Sequence, residues 1–337
     1  MKILQVGPNS VHVSSFVSAI ISEQNELFLL SEESCDFEGI KKNYVVSFRT
    51  INPIKIVRNN FKIKQILNEI QPDFIHIHQV NRLAFFVSII ARKLNIRVVT
   101  TAWGSDVLLV PKKNLIYRFL VKKSLQNSNV VSADSNDMID AMKNLFPVGD
   151  YRLLQYGIDP IESAEKENIV YSNRLHEPLY RISQVINYFA EFIKSNPNWI
   201  LVIAGTGSET ENLQKHTSEL KLDSKIKFVG WQKRDENRAW YAKSRIYISI
   251  PESDGTSVSV LEAMSAGCIP VVADLPVSHE WIVTGQNGII EKKNQNPLEE
   301  AINLDAEKCS NTNSTLIKDK ATRAASVRAF MQLYIGV

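Results

Sequence analysis

Two carboxylates, Asp254 and Glu262, stand with seven residues between them and bracket a turn that reads Pro251-Glu-Ser-Asp-Gly-Thr-Ser257. An apolar run over 246–250 leads into the turn, the pattern predicts a helix starting near Thr256, and a second apolar run follows Pro270. A strand–turn–helix start aims several backbone N–H groups at one spot, with the positive end of the helix dipole behind them. That spot suits a phosphate. Gly255 allows close backbone approach, and Thr256, Ser257 and Val258 add amides, the first two with hydroxyls. The flanking carboxylates suit the hydroxyls of a sugar. Glu262 lies too far along to close a capping box, and a carboxylate inside Val-Leu-Glu-Ala-Met needs a partner if it is buried.

Further candidates sit where predicted strands end. Arg174 follows the run 169–172 and can bind phosphate through its planar fork, or pair with Glu177 on the surface. Gly205 and Gly207, in Ala204-Gly-Thr-Gly-Ser208, form a glycine-rich strand-to-helix turn that suits a second phosphate- or nucleotide-facing loop, although a full G-x-G-x-x-G is absent. In the first half, His12 follows the first strand's turn. His76 and His78 share one strand face; His78, at the strand end, is expected to reach a ligand and His76 to be a packed core histidine. No third ligand stands near this pair, so no metal is expected. Trp103, Ser105 and Asp106, in Thr100-Thr-Ala-Trp-Gly-Ser-Asp106, offer a polar sugar site, though a Trp at a strand end also suits a core.

The elements that must position these residues alternate. At 337 residues the chain exceeds one ordinary core and fits two domains. Strands are expected over 2–6, 26–30, 44–48, 74–77, 97–101, 130–133 and 152–155, with helices over 14–22, 61–70 and 85–94. A polar segment over 159–168 reads as an interdomain linker. Strands then return at 169–172, 199–204, 227–229, 246–250 and 270–273, separated by helices at 182–194, 208–220, 237–242 and 258–266. The expectation is α/β: two doubly wound, Rossmann-like domains, over 1–160 and 165–316, facing across a cleft that receives the carboxyl ends of their strands. The stretch 314–334 has a helical pattern, and a last helix over about 318–337 is expected to pack back on the first domain.

Charge is lopsided. The chain carries a net +3, yet from Lys41 to Lys123 sixteen Lys and Arg face three acids, Glu69, Asp73 and Asp106. The stretches 55–64 and 112–123 mix these cations with apolar and aromatic residues, the composition of a surface that lies on an anionic membrane. No nucleic-acid recognition motif accompanies them. Three cysteines without ligand or redox spacing and a strand-like start lead to the expectation of a cytoplasmic chain, peripheral on the inner face of the cell membrane.

Together these residues resemble the family 4 retaining glycosyltransferases, also called group 1. Asp254 and Glu262 resemble the family's E-x7-E element in a D-x7-E form. Asn173-Arg174-Leu175 resembles G-R-L, Ala204-Gly-Thr-Gly207 resembles A-G-x-G, and Gln155-Tyr-Gly-Ile-Asp159 resembles N-G-V-D. His76-x-His78 and Gly104-Ser-Asp106 match elements of the family's first domain. The resemblance implies the GT-B fold, with an N-terminal acceptor domain and a C-terminal donor domain. It implies transfer of a sugar from a nucleotide diphosphate-sugar, a UDP-sugar first and a GDP-sugar second. The acceptor would be a glycan or a polyprenyl-linked glycan in surface polysaccharide assembly. No cofactor or metal is implied. Glu262 would hold the ribose, and Asp254 with the amides from Gly255 to Val258 would hold the sugar and diphosphate. Arg174 would neutralise the leaving phosphate. Trp231 and Arg181 join the donor set, Arg181 because Leu179 stands where many members carry a Lys. His12, His78, Trp103, Ser105 and Asp106 form the acceptor or sugar set. Other functional classes for the same residues are a GT-B nucleotide-sugar epimerase and a non-catalytic sugar-nucleotide-binding subunit.

Overall fold

The computed structural model describes residues 1–21 and 25–335, leaving aside the side chains of residues 11 and 12. The chain divides into two compact units: Met1–Tyr156 together with the segment from Arg323 onward, and Gly157–Thr322.

Unit 1 holds strands β1 (Lys2–Val6), β2 (Glu26–Ser31), β3 (Ile40–Val45), β4 (Phe74–His78), β5 (Arg97–Thr101), β6 (Val130–Ala133) and β7 (Tyr151–Leu153). They form one parallel sheet in the order β3-β2-β1-β4-β5-β6-β7. Period-two alternation feeds both faces. Leu4, Val6, Leu30, Ile75 and Ile77 enter one cluster, while Ile3, Leu27, Leu29 and Phe74 enter the other. The third strand lies earlier than the β-branched run suggests. Val46 and Phe48 are buried by packing against the helices of their cluster, and burial there comes from a loop.

The helix Pro53–Ile70 starts two turns before the expected one. Asn52 Oδ1 accepts from the N–H groups of Ile54 (2.9 Å) and Lys55 (3.3 Å), and Pro53 sits in the first turn. Ile63, Ile66, Leu67 and Ile70 turn to the sheet at helical spacing. Ile54, Val57 and Phe61 are exposed.

The expected single helix over 314–334 is two: Ala306–Lys320 in unit 2 and Arg323–Ile335 in unit 1. The second buries Phe330, Leu333 and Tyr334 with Ile3, Phe16, Leu27 and Phe74. Each such side chain contributes roughly 1.5–3 kcal/mol. The Tyr334 hydroxyl lies 2.6 Å from His76 Nδ1, and His76 Nε2 lies 2.7 Å from Thr101 Oγ1. His78 Nε2 meets Gln5 Oε1 at 2.7 Å, and its Nδ1 meets the Tyr156 hydroxyl at 3.1 Å.

Unit 2 holds β8 (Glu167–Ser172), β9 (Ile200–Ala204), β10 (Ile226–Gly230), β11 (Ser244–Ser249), β12 (Ile269–Val272) and β13 (Ile289–Ile290), all parallel, in the order β10-β9-β8-β11-β12-β13. Val170, Leu201, Ile203 and Ile248 serve one cluster; Tyr171, Val202, Ala204 and Tyr247 serve the other. The polar segment after Tyr156 is not a loose tether. Ile158 pairs with Thr322, Ile161 is buried, and the Ile161 N–H donates to Ser265 Oγ at 3.2 Å. In each sheet the strand order reverses beside one strand, β1 in unit 1 and β8 in unit 2. The crevice beyond the carboxyl ends at such a switch point is the usual ligand location in open α/β sheets.

Burial pushes His78 down to about 3; burial first and then the neighbouring His78 hold His76 well below the usual imidazole range. Both rings are neutral when folded, whereas the unfolded chain takes up protons near about pH 6.5. The unfolded state therefore binds more protons below that pH. Stability is fully present above it and is lost as the pH falls, for His78 by about 1.4 kcal/mol per pH unit down towards 3, and for His76 in the same direction. Urea unfolding at stepped pH should show this, and His78→Gln should remove about 1.4 kcal/mol per pH unit from the slope across that window.

Candidate active site

Arg174 and Asp254 lie beyond the ends of β8 and β11, the adjacent strands at the switch point of unit 2. Arg174 Nη2 is 2.9 Å from Asp254 Oδ2. Its Nη1 donates to Ser257 Oγ at 2.6 Å and to Ser259 Oγ at 3.2 Å, and its guanidinium sits 4.5 Å from the Tyr180 ring centroid. Burial works most strongly against the charge on Arg174, but Asp254, Tyr247 and Tyr180 together outweigh it and keep the group protonated. The alternative partner, Glu177, instead accepts from Ser208, at 2.9 Å from its N–H and 2.7 Å from its hydroxyl.

Ser257 caps the helix Val258–Ser265, whose Leu261 N–H donates to Ser257 O at 3.1 Å. The amides ahead of Leu261 open the helix, where intrahelical acceptors run out and the dipole favours an anion. Thr256 differs from its expectation: its hydroxyl faces inward and accepts from Trp281 Nε1 at 3.3 Å. The pocket lined by Asp254, Gly255, Thr256, Ser257 and Trp281 measures about 30 Å³, room for about one water.

Glu262 is half-buried on the same helix, and its charge raises the buried phenols of Tyr171 and Tyr241, after burial itself and Tyr247. Those phenols belong to a polar cluster under Arg174. Asn173 Nδ2 donates to Asn237 Oδ1 (3.0 Å) and Tyr241 Oη (2.7 Å), and Asn173 Oδ1 accepts from the Tyr247 hydroxyl (2.8 Å). Asn173 therefore connects the neighbourhoods of Arg174 and Glu262. Sequence reasoning missed Ser259, Tyr180 and Tyr247 as parts of this site. Tyr180 was readable as an aromatic close to the Arg; nothing in the pattern singled out the other two.

Gly205 and Gly207 are there for close approach. A Cβ on Gly205, whose φ is +109°, would lie 2.6 Å from Arg174 O, and one on Gly207 would lie 2.4 Å from His176 O. The glycines let the loop after β9 lie directly on the loop that carries Arg174. Trp231, past β10, is 61% exposed, and Gly205 N–H donates to Gly230 O beside it at 2.8 Å. Arg181 turns to Glu291 (Nη1 to Oε1 2.6 Å).

In unit 1 the candidates are mostly occupied by the fold. His78 is fully buried rather than presented to a ligand: Gly7, whose Cβ would lie 3.1 Å from His78 Cβ, brings its loop over the strand end. Asp106 is also buried, and it accepts from the N–H groups of Val80 (2.7 Å), Trp103 (3.0 Å) and Gly104 (2.9 Å). Burial pushes its carboxyl up, against the pull of those amides. Trp103 Nε1 donates to Tyr156 Oη at 2.6 Å. Ser105 is exposed, and the side chain of His12 lies outside the described residues. Among the described residues no group of three or more His, Cys, Asp and Glu could hold a metal ion.

The glycine contacts can be checked by stability. Gly205→Ala combines positive φ with backbone overlap, while Gly230→Ala (φ +68°) meets nothing within 4 Å. The second should cost about 1–2 kcal/mol in urea unfolding and the first clearly more.

Residues 158–321 match the family model described as glycosyl transferases group 1, and residues 2–135 match the one described as glycosyl transferase 4-like. An O-antigen chain mannosyltransferase of Salmonella typhimurium is 24% identical over 51% of this chain and 50% of its own length. An alpha-monoglucosyldiacylglycerol synthase of Streptococcus pneumoniae is 24% identical over 63% of this chain and 54% of its own. The chain thus spans about half the length of these two relatives. Among solved structures, Anabaena HepE in complex with UDP and glucose superimposes with a TM-score of 0.83 at 13% identity, over 100% of both chains. A glycosyltransferase from Rickettsia africae gives 0.79 at 15% identity, over 99% of this chain and 97% of its own. With both units matched and two parallel-sheet α/β domains of GT-B type, the chain belongs to the group 1 glycosyltransferases.

Proposed function

We propose that the chain is a retaining, metal-independent transferase. It moves a hexosyl or N-acetylhexosaminyl group from a nucleotide diphosphate-sugar, a UDP-sugar by preference, to a glycan or lipid-linked acceptor in surface polysaccharide synthesis. The observation that carries this reading is the Arg174 guanidinium held at 2.9 Å from Asp254, next to the opening turn of the helix Val258–Ser265. That arrangement offers a fixed guanidinium and the free amides of a helix start as donors where a diphosphate leaving group gains charge, the form of stabilisation that is usually largest in such reactions. The glycosyl C–O bond to the phosphate breaks, the acceptor oxygen bonds to the same face of the sugar, and its proton passes to a phosphate oxygen. Arg174 and the helix amides balance the charge left on the diphosphate. Glu262 holds the ribose hydroxyls, and the exposed ring of Trp231 borders the donor. The UDP in the Anabaena structure and the lipid and O-antigen names of the relatives support the donor and acceptor classes.

Arg174→Ala and Glu262→Ala should each lower transfer by at least about a hundredfold while thermal melting still shows a folded chain. Full activity in either variant would discredit the assignment. In a melting screen of nucleotide diphosphate-sugars, the donor should stabilise the chain by about 2.7 kcal/mol at a hundredfold excess over its Kd.

The acceptor reading extends to the membrane. Among the described residues no helix is long and apolar enough to cross a bilayer. Leu115, Ile116, Tyr117 and Phe119 are exposed among Lys112, Lys113, Arg118, Lys122 and Lys123, which supports peripheral binding to an anionic inner membrane face. Replacing Lys112, Lys113, Lys122 and Lys123 by Glu should weaken sedimentation with anionic liposomes at least tenfold; unchanged binding would rule out this surface.

A further inference from the structure

Between the helices Pro53–Ile70 and Arg82–Lys93 of unit 1 runs a groove of about 500 Å³. That volume is within the roughly 300–1,000 Å³ of small-molecule sites. Val57 and Phe61 line one side, and Phe86, Ile89 and Ile90 line the other. Lys64 and Lys93 also line it, and both are exposed.

Acids are scarce in the part of the chain that builds this groove. The stretch from Lys41 to Lys123 has only three acids, and each is engaged elsewhere. Glu69 pairs with Lys42 at 2.8 Å, Asp73 accepts from the Lys2 N–H at 2.7 Å, and Asp106 is buried on backbone amides. An apolar trough edged by Lys64 and Lys93, neither of which pairs with a carboxylate among the described residues, fits a molecule that joins a hydrocarbon chain to an anion. The apolar surface also continues outward. Phe86 contacts Phe85 (ring centroids 5.0 Å apart), and Phe85 contacts Phe119 (6.2 Å), on the helix with exposed Leu115 and Ile116. At the start of the helix Pro53–Ile70, Ile54 is exposed and Ile51 is 91% exposed. A protein partner would have to bring its own carboxylates to this surface. A membrane lipid carries both the chain and the phosphate in one molecule.

We propose that the groove takes one hydrocarbon chain of an anionic membrane lipid, with its phosphate on Lys64 and Lys93. This rests on the reading that the chain works at an anionic membrane and adds to it a discrete lipid site. Lipid drawn from the bilayer into the groove fixes unit 1 at the surface by a stoichiometric contact, beyond diffuse attraction between charges.

The test is equilibrium dialysis of the full chain against dodecyl phosphate below its micelle concentration. Dodecyltrimethylammonium and inorganic phosphate serve as controls. One equivalent of dodecyl phosphate should bind, with neither control matching it. Lys64→Ser with Lys93→Ser should weaken binding at least tenfold, and Ile89→Trp, which fills the trough, should abolish it. Thermal melting checks that both variants are folded, and the double lysine variant alters only exposed positions, so it keeps the test decisive if Ile89→Trp does not fold. Equal binding of the cationic amphiphile, or binding that neither variant changes, overturns the groove. Sedimentation with phosphatidylcholine vesicles, with and without phosphatidylglycerol, separates the two levels. If the wild type ignores the anionic vesicles, the membrane reading itself fails. If vesicle binding persists but dodecyl phosphate does not bind, the groove alone fails.

Discussion

One guanidinium, held on several sides, organises unit 2. A buried Arg is tolerable only if its charge is met, and Arg174 is met by Asp254, two serine hydroxyls and the face of Tyr180. Holding it there sets terms for its surroundings. The backbone after β8 must lie against the loop after β9, which excludes side chains at Gly205 and Gly207. The residue before it, Asn173, must be anchored from below, and three buried phenols and Asn237 supply or surround that anchor. Asp254 arrives on a turn eighty residues downstream because β11 is the neighbour of β8 in the sheet. The same guanidinium thus depends on sheet order, on two glycines and on a polar cluster in an otherwise apolar layer.

The alternation of strands and helices was readable because parallel strands buried on both faces appear as continuous β-branched runs. Where reading failed, another force produced the same signal. Val46 and Phe48 look like strand residues but are loop residues that pack. β13 has only Ile289 and Ile290 and is too short for any periodicity. The first turns of Pro53–Ile70 carry outward-facing apolar residues, which hide the amphipathic pattern, although Asn52-Pro53 marked the start. At the site, residue types were legible and partnerships were not. The ion pair between Arg174 and Asp254 joins segments that only the topology brings together.

Unit 1 shows why polar residues at strand ends are ambiguous. In a sheet covered on both faces, a buried imidazole or carboxylate must find partners inside. His76, His78 and Asp106 do so, through Tyr334, Thr101, Gln5, Tyr156 and backbone amides. The pair is architecture in the structure, His76 as its place in the strand suggests and His78 against the expectation that it reaches a ligand. It is also costly to charge, which makes it a poor proton carrier near neutral pH.

The tie between Tyr334 and His76 has a consequence during synthesis. The helix that bears Tyr334 leaves the ribosome only after all of Gly157–Thr322 has been made. At about 5–20 residues per second, that interval lasts roughly 10–30 s. Throughout it Phe16 and Phe74 lack the wall that Phe330 and Tyr334 later provide. The unit begun first is therefore finished last, with a nascent chain that displays an aromatic seam while the second unit is already closing. Until that helix docks, the seam is exposed apolar surface of the kind that makes incompletely folded chains prone to aggregate.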